Sequence, residues 1–331
     1  MIITKTPYRI SFFGGGTDYP EWFREFGGSV LTTSIDKYCY ISCRNLPPFF
    51  NHKHRIVYSL IENVILNDDI KHPAVRGVFN YMNVQSGLEI HHDGDLPARS
   101  GLGSSSSFTA GLVHAIKSLR GELIDKYTLA RETIHIEQNI LKENVGSQDQ
   151  VGTVFGGLNR VDFLKNDDFA VSPVVIKTER KQMLNQHLML FFTGVTRFAS
   201  EIAASQIQNL KNRETELKAM QAMVPEAIAI LSSPSAPISD FGKMLHESWC
   251  YKRSLSEQIS NGAIDEIYQT AVDCGAEGGK ILGAGGGGFI LIFAAPEFQA
   301  KIREKLSRLV YVPFKFENSG SSIAFYQPDG L

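Results

Sequence analysis

The sequence predicts an α+β fold built in two units, on three observations. Segments rich in β-branched and aromatic residues with partial alternation, Ile2 to Phe13 and Val30 to Cys43, read as strands. Other segments place apolar residues at helical spacing, as Phe108, Leu112, Ala115, Ile116 and Leu119 do. Gly156-Gly157 and the polar run Lys165-Asn-Asp-Asp168 then break the chain near its middle, which gives units of residues 1–165 and 166–331.

In chain order, the two N-terminal strands precede a short third one, Leu88 to His92. It leads through Asp93-Gly-Asp-Leu-Pro97 into the small-residue turn Ala98-Arg-Ser-Gly-Leu-Gly-Ser-Ser-Ser-Ser107, and the helix from Phe108 to Arg120 follows with one apolar stripe for the core. A second helix runs from about Lys126 to Lys142, and a strand from Leu158 to Phe163. The second unit opens with strands near Val171 to Ile176 and Leu188 to Thr193, then a long helical tract from Phe198 to Met223. Ile264, Ile267, Tyr268, Ala271 and Val272 mark a further amphipathic helix, ahead of a glycine-rich stretch and the strand Phe289 to Phe293. A helix from Glu297 to Leu309 and a strand from Ile323 to Tyr326 complete this half.

With 331 residues, 43% of them apolar, the chain can bury more than one sizeable core. Its 33 basic and 35 acidic residues give a formal charge of −2, which supplies no field to recruit nucleic acid or an anionic membrane. Cys39, Cys43, Cys250 and Cys274 show neither CxxC nor zinc spacing and read as reduced, mostly buried thiols. The N-terminus has no basic segment followed by an apolar one, and no apolar run is long enough to span a bilayer, so the expected location is the cytoplasm.

Three glycine- or serine-rich segments lie far apart: Arg9-Ile-Ser-Phe-Phe-Gly-Gly-Gly-Thr-Asp18, the turn before Phe108, and Gly283-Ala-Gly-Gly-Gly-Gly288. Glycine runs cost conformational entropy, so they suggest places where the backbone must approach a ligand or another backbone. In the second segment a turn opening a helix leaves N–H groups unpaired at the positive end of the helix dipole, which suits a phosphate; an ordinary serine-capped helix is the other reading. The third contains Gly283, Gly285 and Gly288 at GxGxxG spacing but follows a helix and precedes a strand, the reverse of the dinucleotide order. Gly279-Lys280 is followed by Ile281, so no P-loop exists either.

Arg9 to Asp18, Pro97 to Ser107 and Lys280 to Phe289 resemble, in order and across nearly the whole chain, the three motifs of the GHMP small-molecule kinases. Gly14-Gly-Gly-Thr-Asp18, Gly146-Ser-Gln-Asp-Gln150, Phe192-Thr-Gly-Val-Thr-Arg197 and the Gly279 to Gly288 stretch are most similar to the branch holding the heptose 7-phosphate kinases and fucokinases. Galactokinases carry an acidic residue and a histidine where this chain has Gly15-Gly16. The resemblance implies an N-terminal domain like domain 2 of ribosomal protein S5, a ferredoxin-like C-terminal domain, and an ATP-dependent sugar kinase working with Mg2+ as a monomer or homodimer. A catalytically idle relative that senses nucleotide or sugar is the reading of a different class.

The resemblance also implies roles. Asp149 matches the catalytic aspartate, with Arg9 as its partner, although a turn aspartate and a structural arginine would fit the bare sequence as well. Pro97, Ser100, Gly101, Leu102, Gly103, Ser104, Ser105 and Ser106 belong to the ATP-binding motif. Gly15, Gly16, Thr17 and Asp18 fall on the sugar, with Gly285 and Gly286 in the supporting wall. Ser105 and a helix glutamate are implied as metal ligands, Glu137 being the choice and Glu132 or Glu143 remaining open. Arg197, and the pair Lys252-Arg253, are candidates for a phosphate carried by the sugar, while the adenine contacts fall somewhere in Ile56 to Val75.

Overall fold

The computed structural model describes residues 1–98, 100–194 and 199–329. The first part of the chain forms β1 (Ile2–Phe13), α1 (Pro20–Phe26), β2 (Gly28–Asn45), β3 (His54–Val57), β4 (Ile61–Val64), α2 (Pro73–Tyr81) and β5 (Leu88–Gly94). It continues with α3 (Ser104–Leu119), α4 (Lys126–His135), α5 (Gln148–Phe155), β6 (Leu158–Phe163) and β7 (Phe169–Pro173). Then come α6 (Thr178–Gln186), β8 (Leu188–Phe192), α7 (Ala199–Asn209), α8 (Glu214–Ser232), α9 (Ser239–Ser254) and α10 (Gly262–Asp273). The remainder is β9 (Gly278–Ile281), β10 (Phe289–Phe293), α11 (Pro296–Lys305), β11 (Val310–Tyr311), β12 (Phe316–Glu317) and β13 (Ser322–Tyr326).

The larger sheet has nine strands and runs β13-β1-β2-β5-β3-β4, with β6 and β12 also paired to β2 and β7 to β6. The 18 residues of β2 are long enough for Gly28 to Thr33 to pair with β6 and Cys39 to Asn45 with β5. Register shifts in the β1–β2 pairing fall at Pro7/Arg9 and Ser11/Phe13. Such irregularities re-aim side chains, and here they fall beside Tyr8, Arg9 and Ser11, the β1 residues that reach the cavity described below.

The smaller sheet runs β11-β8-β10-β9, antiparallel throughout. Counted in chain order this is 4-1-3-2, with helices between its first two and last two strands, the ferredoxin-like arrangement.

Three expectations change. The helix from Lys126 ends at His135 and passes into a π turn, Ile136–Ile140, which carries Glu137. The tract expected to be one helix up to Met223 is interrupted by a 3-10 turn, Leu210–Arg213, between α7 and α8. The last strand does not complete the second half: β13 pairs with β1 through Ile2↔Tyr326 and Lys5↔Ser322, and covers the open edge of the first sheet. Strand pairing therefore crosses residue 165 at β6–β7, at β12–β2 and at β13–β1. Cys39, Cys43 and Cys274 are buried, Cys250 is exposed, and all four are free thiols.

Candidate active site

The loop after β5 and the first turn of α3 form one wall of a cavity of about 710 Å³, lined here by Gly101, Gly103, Ser104, Ser105 and Ser106. Gly103, the N-cap, precedes the helix at φ 75° and has no side chain with which to cap the first turn of α3. The positive end of a 16-residue helix thus faces the cavity through backbone amides.

The glycine segments meet here. A Cβ on Gly101 would stand 2.5 Å from the Leu282 carbonyl oxygen, and one on Gly283 would stand 2.5 Å from Gly101 Cα. The third segment is therefore packed backbone against backbone on the phosphate-type turn, which explains its composition without any grip on a nucleotide. Gly283 and Ala284 reach the cavity, whereas Gly286 donates its N–H to Ile259 O and Gly285 packs on the same residue. Gly285 and Gly286 are thus wall rather than contact residues.

Arg9 enters from β1 with 1% exposure. Its Nε donates to Asp149 Oδ1 at 2.8 Å and its Nη2 to Oδ2 at 2.6 Å, a two-pronged pair, while Nη1 donates to Gly101 O at 2.9 Å. One guanidinium therefore fixes the aspartate to the phosphate-type turn. Asp149 sits in the first turn of α5, not in an isolated turn, and is 30% exposed toward the cavity.

Asp18 is 2% exposed and accepts from the N–H groups of Gly16, at 3.0 Å, and Gln148, at 3.3 Å. Gly146 has to be glycine, because a Cβ there would lie 1.9 Å from Asp18 Oδ2. Gly15 and Gly16 line the cavity beside Asp18. Thr17 does not: its hydroxyl donates to the Gly14 and Ser29 carbonyls and is fully buried. The cavity lining instead holds Ser11 Oγ and Gln148 Oε1, buried polar atoms without a partner among the described residues. Neither has a sequence signal beyond its nearness to a motif.

Burial, then the charge of Asp149, raises the Asp18 carboxyl to about 6. A carboxyl whose native value exceeds its unfolded one favours the protonated native state, so its contribution to stability is present at acid pH and lost as pH rises through about 6. The unfolding free energy should fall by on the order of 3 kcal/mol from this group between about pH 4 and pH 7, and Asp18→Asn should remove that segment of the urea-denaturation profile.

Glu137 is 1% exposed and held by neutral groups: Ser105 Oγ at 3.2 Å, Ser106 Oγ at 2.8 Å and Gln150 Nε2 at 2.5 Å. Burial, followed by the charge of Glu143, raises its carboxyl to about 7. A buried carboxyl group beside a serine hydroxyl, with no basic side chain bonded to it among the described residues, is a donor set that fits a magnesium ion keeping most of its waters. Glu132 is committed elsewhere, to Lys117 at 2.8 Å, while Glu143 stands on the cavity wall.

Two buried lysines complete the polar wall. Lys280 donates to Phe12 O at 2.8 Å, and burial together with the Arg9 charge lowers it to about 7. Lys252 donates to the carbonyls of Ile281 and Gly283. Arg253 turns away to Asp265, and Arg197 lies outside the described residues. Of the turn residues, Pro97 is exposed, and Ser100 and Leu102 are buried behind the wall. The far end of the cavity is aromatic: Tyr58, His72, His92 and Phe108 line it, with His72 stacked on Phe108 at 4.7 Å. Among the described residues no helix is long and apolar enough to cross a membrane.

Known proteins share this architecture. The GHMP kinase N-terminal domain description matches residues 70–157, and the C-terminal one matches 226–312. D-glycero-alpha-D-manno-heptose 7-phosphate kinase of Campylobacter jejuni is 31% identical over 89% of this chain and 90% of its own length. The bifunctional fucokinase/GDP-fucose pyrophosphorylase of Arabidopsis thaliana is 25% identical over 91% of this chain, which spans 31% of that longer protein. Among solved structures, a D-glycero-D-manno-heptose 1-phosphate kinase from Bacteroides thetaiotaomicron superposes with a TM-score of 0.76 at 22% identity, covering 99% of this chain and 100% of that one. A Lactococcus lactis galactokinase superposes with a TM-score of 0.74 at 18% identity over 97% and 94%.

The chain belongs to the GHMP kinase family. It is an ATP-dependent phosphotransferase acting on a hydroxyl, and its likeness is to sugar kinases.

Proposed function

We propose that this kinase transfers the γ-phosphoryl group of ATP to the anomeric hydroxyl of D-glycero-D-manno-heptose 7-phosphate, giving the 1,7-bisphosphate for nucleotide-heptose and surface polysaccharide synthesis. The observation that carries the reading is the Arg9–Asp149 pair, one carboxylate held at hydrogen-bond distance from a guanidinium that also binds the turn opening α3. The sugar is chosen by the 31% identity to the Campylobacter kinase over nearly the full length of both chains.

In this reading the triphosphate lies on the amides at the start of α3, and the rings of Tyr58, His72 and Phe108 take the adenine. Asp18, Gln148, Ser11 and the Gly15-Gly16 backbone hold sugar hydroxyls. Asp149 accepts the proton of the attacking hydroxyl. That oxygen bonds to the γ-phosphorus, the bond from phosphorus to the β–γ bridging oxygen breaks, and its electron pair leaves on ADP. Ser105 and Glu137 would hold Mg2+, which when bound offsets phosphate charge. Arg9 keeps Asp149 aimed and adds positive charge beside the transfer.

ADP release with magnesium-ATP across free and phosphorylated hexoses and heptoses tests the substrate. Turnover is expected with the heptose 7-phosphate. Turnover with unphosphorylated fucose alone would assign the chain to the fucokinases, which the Arabidopsis likeness favours as the second reading. Absence of turnover with every sugar would point to a binding protein and overturn the proposal.

A further inference from the structure

Lys252 and Lys280 are buried lysines that the mechanism above does not use, and of the two Lys252 is the better placed for a ligand. It stands on α9, 8% exposed, and lines the cavity. Its Nζ donates to Ile281 O at 2.9 Å and to Gly283 O at 2.6 Å. An ammonium has three N–H groups, so these two bonds aim it and leave one for a ligand.

Where that ammonium sits follows from the packing. Gly283 presses on Gly101, and Gly101 O accepts from Arg9, whose other nitrogens hold Asp149. Lys252 is therefore anchored one backbone contact from the phosphate-type turn, on the side of the catalytic pair. The charged groups around it are Lys280, Arg9, Asp149 and Asp18. Three cations thus face two carboxylates, one of them already paired with Arg9. Burial, then the charges of Lys280 and Arg9, pushes the Lys252 ammonium well below its ordinary range, and an entering polyanion would relieve that cost.

We infer that Lys252 is a further catalytic residue, its ammonium contacting the transferring phosphoryl group, an inference that rests on the phosphotransfer reading above. During transfer the acceptor oxygen gains its bond to the γ-phosphorus, ADP takes the electron pair of the breaking bond, and the proton passes to Asp149. Lys252 exchanges neither bond nor proton; it offsets charge on the equatorial oxygens. Lys280, tied to Phe12 O, is a positioning residue that adds to the same field.

The test uses the full chain with Lys252→Met, which keeps length and apolar stem without the charge. Turnover should fall on the order of 10²- to 10³-fold, with the KM for sugar near that of the wild type. Calorimetric titrations should show a γ-imido ATP analogue losing affinity relative to ADP, because only the former places a phosphoryl group on the lysine. Lys252→Ala should regain turnover with added propylammonium and not with propanol. Turnover within about threefold of the wild type would overturn the inference. Equal weakening of both nucleotides, or no rescue by the amine, would do the same by making Lys252 a purely structural tie. The nucleotide titrations do not depend on the sugar, so failure of the sugar panel alone would sink the substrate reading and leave this result standing.

Discussion

Asp149→Asn should lower turnover by on the order of 10²- to 10⁴-fold while leaving ATP binding close to that of the wild type. The substitution preserves shape but removes the proton acceptor. It also sets an amide NH2 against one of the Arg9 nitrogens that now donate at 2.8 and 2.6 Å, so half of the two-pronged contact becomes donor against donor. Kinetics with saturating sugar, paired with calorimetric ATP titration, check both halves. Activity within about tenfold of the wild type would remove Asp149 from the base role.

Arg9→Met should show the largest combined loss of stability and activity. The guanidinium is buried and makes three side-chain hydrogen bonds, two to Asp149 and one to Gly101 O, and its backbone N–H donates to Leu102 O. Removing one member of a buried pair leaves the other uncompensated, which costs about 3–5 kcal/mol; the 30% exposure of Asp149 places the expectation near 3. Turnover should fall with it, because the turn and the base lose their common tether. Arg9→Lys should recover charge without the planar fork, and so restore stability more than activity. Urea denaturation followed beside initial rates separates the two effects.

The parts of this site legible in the sequence are those whose chemistry requires unusual residues. Gly101 and Gly283 stood out because two backbones in contact exclude any Cβ. Asp149 and Asp18 lie in motifs and Glu137 is implied only as one of three helix glutamates, yet all three lie in one region with Arg9 and Ser105. Ser11, Gln148 and Lys280 were not singled out, since an unpaired hydroxyl, an amide or a buried ammonium is a property of the fold and not of local spacing. The resemblance implies Thr17 on the sugar with Gly16 and Asp18, but position in a motif does not say which way a hydroxyl turns, and this one closes on Ser29 O.

The fold shows the same division. β1 and β6 fall on the residues expected to be strands, because their β-branched and aromatic side chains are mostly buried in the core. β9 (Gly278–Ile281) carries two glycines and no strand signal, and is a strand only because β10 supplies its ladder. The return of β13 to the first sheet was equally invisible, as long-range pairing leaves no local mark.

The most direct measurement is a crystal structure with magnesium, a non-hydrolysable ATP analogue and heptose 7-phosphate. The account predicts the triphosphate on the amides opening α3, and the anomeric oxygen within about 3 Å of the Asp149 carboxylate. A nucleotide bound elsewhere, or an acceptor hydroxyl separated from Asp149 by packed side chains, would contradict it.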